Sequence, residues 1–135
     1  MKIIILINLI ALCVVNNGVT SQDTLSTAIK DASRQYNVSP RILTRIAYIE
    51  SKYNNTATRI NKNGTTDYGA FQINSVHWNK TCLMYNIKRM KGNALCAAKI
   101  LMLASKHKSK DKYWVGRYHS KTPKLKVKYA KLVGL

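Results

Sequence analysis

Leu25, Ala28, Ile29, Ala32 and Tyr36 recur at three- and four-residue intervals. The spacing predicts a helix that Thr24 or Asp23 caps and Asn37-Val38 ends. Ser39-Pro40 supplies an N-cap followed by proline at a first helical position, and Ile42, Leu43, Ile46 and Ile49 carry the pattern into a second helix. From Ala94 to Ala104 the chain is apolar on nearly every side, Lys99 excepted, which predicts a buried central helix. Asp111 is placed to cap a short helix through Trp114 to Tyr118. A last helix follows Thr122-Pro123, with Leu125, Tyr129, Leu132 and Val133 on one side. Between the second and the central helix, Thr56 to Asn74 reads as β structure turning at Lys62-Asn63-Gly64, because Asn-Gly favours tight turns. The pattern predicts a mainly α fold (α+β) with one small β-hairpin after the second helix.

The chain opens differently. Met1-Lys2 precedes an apolar run from Ile3 to Val15, broken only by Asn8. Thirteen residues are too few to span a bilayer, which takes roughly 20. They suit the centre of a secretory signal, and Val19-Thr20-Ser21 offers a cleavage point after Ser21. Residues 1–21 are therefore expected to be a signal peptide and residues 22–135 one exported domain, periplasmic or extracellular at the cell wall, with no stable transmembrane segment once the signal is removed. Removing Cys13 leaves Cys82 and Cys96, an even pair that an oxidising compartment joins as a disulfide. Their spacing matches no metal motif, so no metal and no other cofactor is expected.

Charge narrows the partners. The whole chain carries 23 basic and 5 acidic residues, a formal +18. Ten basic residues and one acid, Asp111, fall between Lys106 and Lys131. Such a surface attracts polyanions, and for an exported chain an anionic envelope surface is the expected partner rather than nucleic acid. A Lys-, Asn- and Ile-rich composition also arises in AT-rich genomes, so charge alone does not define a site.

Against this background the sole glutamate, Glu50, stands out at the end of the second predicted helix. Ile46, Ala47 and Ile49 beside it would strip water from a carboxyl group and raise its pKa, as a general acid requires. The plainer reading is an exposed carboxylate paired with Arg45 or Lys52. A helix-borne acid beside a hairpin rich in amides and aromatics suits glycan cleavage, in which the acid protonates a glycosidic oxygen. Most glycosidases add a second carboxylate, and Asp67 on the hairpin is the candidate, although an aspartate there also commonly bonds to turn amides.

Glu50-Ser51, then Asp67-Tyr68-Gly69-Ala70-Phe71-Gln72-Ile73-Asn74, then Tyr118-His119-Ser120 resemble the ordered motifs of the soluble lytic murein transglycosylases. The resemblance runs from about Ala28 to Val133. It implies a lysozyme-like fold and cleavage of the β-1,4 bond between N-acetylmuramic acid and N-acetylglucosamine in peptidoglycan. One carboxyl then serves twice, protonating the leaving oxygen and deprotonating the muramoyl 6-hydroxyl to give a 1,6-anhydro end. By resemblance Glu50 is that group and Ser51 helps to orient it. Gln72 contacts sugar, Tyr118 sits beside the carboxyl, and Tyr68, Phe71 and Asn74 line the groove. Phe71 stands where the family often has Met, and His119-Ser120 where many members have Asn-Ala. Tyr-His-Ser before Thr-Pro resembles the small transglycosylases that accompany type IV and type III secretion, conjugation and pilus machines, which implies an envelope-spanning partner. His119 is open between sugar contact and structural hydrogen bonding. Two other readings stay open: a lysozyme-like hydrolase in which Asp67 positions water, and a non-catalytic cationic wall-binding protein.

Overall fold

The computed structural model describes residues 24–135, so the signal expected over residues 1–21, Cys13 and Asp23 lie outside the described residues. Four helices and a small sheet follow the predicted order: α1 Leu25–Tyr36, α2 Pro40–Ser51, β1 Thr58–Ile60, β2 Thr66–Tyr68, β3 Ile73–Asn74, α3 Met90–Ser105 and α4 Pro123–Val133. Short 3-10 turns occupy Ser75–His77 and Trp114–Tyr118. This is the mainly α, lysozyme-like plan expected from the sequence.

The caps come from the predicted residues. The Thr24 hydroxyl accepts from the Thr27 amide, Ser39 accepts from Ile42, and Pro40 opens α2. α2 ends abruptly because Lys52 and Tyr53 both take left-handed conformations, at φ 55° and 66°. Their amides return to the Tyr48 and Ala47 carbonyls, which satisfies the end of the helix. Glu50 is thereby fixed one residue before the end of α2 and faces the sheet side of the molecule.

α3 begins four residues before the predicted apolar run, at Met90, and is the central helix. Ala94, Cys96, Ala97, Ala98 and Leu101 are buried in it and pack with Ala28, Ile29 and Ala32 of α1 and Leu43 and Ile46 of α2. Cys96 is bonded to Cys82, with Cα atoms 5.4 Å apart, so the expected disulfide ties the loop before α3 to the core. A loop of this size stabilises by roughly 3 kcal/mol in the chain-entropy model.

Two elements differ from expectation. The returning arm of the hairpin is not one strand: β2 pairs with β1 and then, after a turn at Gly69–Gln72, β3 pairs back onto β2, giving an antiparallel sheet ordered β1-β2-β3. Gly69 sits at φ +72°, and a Cβ there would lie 2.7 Å from the Asn93 carboxamide, so the turn needs glycine both for its backbone and for this approach. Asn93, 1% exposed, is the hub beneath the turn. Its Oδ1 accepts from the Phe71 amide at 3.0 Å, and its Nδ2 donates to the Tyr68 and Ile87 carbonyls at 2.7 and 2.8 Å.

The second difference is the face of α4. Tyr129, Ala130 and Val133 are buried, whereas Leu125 and Leu132 are 46% and 48% exposed. Asp111 also departs from its expected capping role. It accepts from the Tyr113 amide and from Lys126 Nζ at 2.6 Å, and so anchors α4 to the preceding turn. Among the described residues, no helix is long and apolar enough to cross a membrane.

Candidate active site

Glu50 opens onto a cleft of about 370 Å³ between the end of α2, the sheet and the Trp114–Tyr118 turn. The same cleft takes in Asp67, Gln72, Asn74, Tyr118 and His119, so six of the residues singled out in the sequence converge on one groove. A larger cleft of about 720 Å³ lies between Ser39, Arg41, Arg45 and the last turn of α4, and its lining includes no carboxylate side chain. Size therefore does not mark the reactive site here; chemistry does.

Glu50 is half-buried, and loss of hydration raises its carboxyl above the ordinary value of 4.5. Three groups oppose that rise: the hydrogen bond from Tyr129 first, then the positive potentials of His119 and Arg59. Asp67 adds a small push in the same direction as burial. The hydroxyl of Tyr129 donates to Glu50 Oε1 at 2.6 Å. Tyr129 is itself buried, and burial followed by the charge of Glu50 drives its own pKa far upward, so it remains a donor at any working pH.

His119 lies flat on the Tyr129 ring, with centroids 4.9 Å apart and planes 2° from parallel. Tyr118 stacks on the same ring at 6.3 Å. Its own hydroxyl is turned away from the carboxyl, donating to the Phe71 carbonyl at 3.1 Å. Tyr118 thus sits near Glu50, whose charge raises its pKa after burial does, but the hydrogen bond to the carboxyl belongs to Tyr129. Gly116 makes this packing possible: a Cβ there would come within 1.9 Å of the Lys126 carbonyl oxygen of α4.

Asp67, 5% exposed, is already engaged. Arg59 reaches its Oδ2 through Nε at 3.1 Å and Nη2 at 2.7 Å, and Asn74 donates to Oδ1 at 2.7 Å. These partners are side chains, not the turn amides anticipated from the sequence. Gln72 holds a left-handed backbone at φ 46°, a conformation few residues other than glycine adopt. Its Nε2 donates to the Gly69 and Ala57 carbonyls at 2.9 and 3.3 Å. Two carbonyl acceptors require the amide nitrogen on that side, which leaves Oε1 as its side-chain acceptor for a sugar hydroxyl or N-acetyl group.

Three expected positions are elsewhere. Phe71 is fully buried in the core and does not line the groove; an apolar ring in a turn over Asn93 gains more by burial than by exposure. Tyr68 follows Asp67 in β2 and therefore points to the opposite face of the sheet, where Lys88 Nζ lies 5.2 Å from its ring. The Ser51 hydroxyl makes no hydrogen bond to the Glu50 carboxyl. Its hydroxyl donates to the Ala70 carbonyl at 2.8 Å and accepts from the Asn54 amide at 2.9 Å, joining the end of α2 to the Gly69–Gln72 turn. Tyr129 and Arg59 were not singled out for the site in the sequence. Tyr129 reads there as one more apolar position, although a buried tyrosine hydroxyl usually finds a hydrogen-bond partner.

The transglycosylase SLT domain family matches residues 27–113. That span contains Glu50, Asp67 and Gln72 and stops before Tyr118, His119 and Tyr129. Shorter stretches are similar to curated proteins. Protein IpgF of Shigella flexneri is 44% identical over 46 residues, covering 34% of this chain and 30% of IpgF. Lysozyme-like protein 1 of Mus musculus is 58% identical over 33 residues, 24% of this chain and 22% of that protein. Lysozyme c-1 of Anopheles gambiae is 59% identical over 29 residues, 22% of this chain and 21% of the lysozyme. The chain thus spans less than a third of the length of each of these relatives. With the family match extending over more than half of its residues, the chain belongs to the transglycosylase SLT domain family.

Proposed function

We propose that this protein is a peptidoglycan lytic transglycosylase with Glu50 as its single catalytic acid and base. The observation that carries the reading is the state of the two carboxyl groups in the groove. Glu50 is desolvated, raised in pKa and held by one neutral donor, Tyr129. Asp67 is bound by Arg59 and Asn74. A protonated Glu50 gives its proton to the bridging oxygen between muramoyl and glucosaminyl residues. The carboxylate so formed is stabilised by the Tyr129 hydroxyl and by the guanidinium charge of Arg59, and it then takes the proton of the muramoyl 6-hydroxyl as that oxygen closes on C1. Bond breaking and ring closure balance without water, leaving a 1,6-anhydro end. Gln72 and Asn74 line the groove as sugar contacts, and His119 offers an exposed, stacked ring at its rim.

The runner-up is a lysozyme-like muramidase, favoured by the stretches similar to lysozymes and by the presence of Asp67 in the groove. A non-catalytic cationic wall-binding protein remains the reading from another class. The proposal extends to export behind a signal over residues 1–21 into the periplasm or the cell-wall space, and to local opening of the wall for a secretion, conjugation or pilus machine. The Cys82–Cys96 disulfide fits an oxidising compartment. Digestion of purified peptidoglycan by wild-type protein and by Glu50→Gln, with mass analysis of the ends produced, tests the reaction. Anhydro ends from wild type alone support it.

A further inference from the structure

The groove continues beyond Glu50. His77 and Ile100 line it and also line a second cleft of about 310 Å³. Arg117, Lys121 and His107 contribute to that cleft together with the apolar side chains of Leu103 and Ala104, and no carboxylate lines it. Asp111, the acid beside Arg117, is shared. Lys126 Nζ holds its Oδ2 at 2.6 Å, while Arg117 Nε lies 3.5 Å from the same oxygen, buried and without a hydrogen-bond acceptor. One carboxylate between two cations leaves positive charge uncompensated beside the cleft, and Lys121 is exposed and absent from the ion pairs among the described residues. The result is a small, cationic, partly apolar annex continuous with the sugar groove.

Resting on the wall-cleaving reading above, we propose that this annex is a subsite for the carboxylate-bearing peptide stem carried by the muramoyl residue of the same glycan strand. The stem leaves the sugar through a lactyl ether and combines alanine methyl groups with free carboxylates. Leu103 and Ala104 match the first feature, and Arg117 and Lys121 the second. Because His77 and Ile100 belong to both clefts, a sugar in the groove presents its substituent to the annex without leaving the surface. Arg117 is suited to a carboxylate by its planar fork, and Lys121 adds a mobile point charge.

The test compares kcat/KM at low salt on two sets of glycan chains of equal length, one bearing stems and one stripped by an amidase. Wild type should favour the stem-bearing chains by about tenfold, the range two charge-assisted contacts supply. Lys121→Glu, at an exposed position, should lower the preference at least about threefold while turnover of stripped chains stays within about twofold. Adding Arg117→Gln should abolish the preference. Equal handling of both substrates by wild type, or an undiminished preference in folded Lys121→Glu, overturns the proposal. A second measurement does not depend on catalysis: NMR titration of the protein with a soluble muramoyl peptide and with the same sugar lacking the peptide. Salt-sensitive shifts at Arg117 and Lys121 with the peptide alone support the subsite. If neither glycan is cleaved, the reaction assigned to Glu50 fails, and this titration still decides the annex. A response to poly(glycerol phosphate) but not to muramoyl peptide would assign the cleft to phosphate polymers and overturn the proposal.

Discussion

The hydroxyl of Tyr129 in α4 donates a 2.6 Å hydrogen bond to Oε1 of Glu50 in α2, joining residues 79 positions apart in sequence. This contact makes the last helix part of the reactive site. It lowers the pKa of a carboxyl that burial raises, so Glu50 is held between the needs of an acid and those of a base. Removing the hydroxyl while keeping the ring stacked under His119 isolates that effect. Tyr129→Phe should shift the high-pH limb of the rate profile upward, because Glu50 then stays protonated to higher pH. The rate should fall about tenfold to a hundredfold through loss of support for the carboxylate. A pH profile of kcat/KM checks both, and an unmoved limb would detach Tyr129 from the chemistry.

The raised pKa also predicts a stability effect. The folded protein binds the Glu50 proton more tightly than the unfolded chain, so stability falls as pH rises from 4.5 through the folded value. Glu50→Gln removes the ionisation and leaves an oxygen that still accepts from Tyr129. The variant should therefore melt higher than wild type near about pH 7, and the gap should close in acid, below the ordinary carboxyl range. Calorimetric melting curves across this interval provide the measurement. A variant less stable at neutral pH would mean that the ionised carboxylate is a net stabiliser.

Asp67 should matter to the sheet more than to the reaction. Asp67→Asn weakens the ion pair with Arg59 that joins β2 to β1 and disturbs the bond from Asn74. Stability should drop by about 1–3 kcal/mol, while turnover falls far less than in Glu50→Gln. Urea denaturation and steady-state rates separate the two effects. A rate loss equal to that of Glu50→Gln in folded protein would favour the hydrolase.

Much of this was legible in the sequence because it rests on local rules. Thr24, Ser39 and Pro40 start helices by satisfying or dispensing with free amides, and Glu50 is visible as the sole glutamate, set beside an apolar stripe. What was missed depends on distant contacts. Period-two alternation in β2 sends Asp67 into the groove and Tyr68 away from it, but the alternation can be assigned to faces only once the sheet's orientation is known. The resemblance places Phe71 in the groove, but the bond from its amide to Asn93, 22 residues on, fixes the turn that buries it. Tyr129 looked like an apolar position because its partner lies on another helix. The α4 face was misjudged for the same reason: Ala130 buries completely against the body while the larger Leu125 and Leu132 stay out.

The basic surface is expected to bind the wall rather than act on it. Lys124, Lys128 and Lys131 belong to α4, whereas Lys126 is occupied by Asp111 and is left out of the test. Replacing the three with Gln should weaken binding to intact sacculi and spare turnover of short soluble chains. Wild-type binding should fade toward 1 M salt, where the Debye length is about 3 Å. Sedimentation with sacculi across a salt series measures this, and binding indifferent to both salt and substitution would return recognition to the groove alone.

The most direct test of a single-carboxyl transglycosylation at Glu50 is mass spectrometry of muropeptides released in water enriched in heavy oxygen. Wild type should yield 1,6-anhydromuramoyl ends carrying no solvent oxygen, and folded Glu50→Gln should yield neither these nor any other new glycan ends. Reducing muramoyl ends labelled by the solvent, or cleavage that persists without the Glu50 carboxyl, would contradict the account.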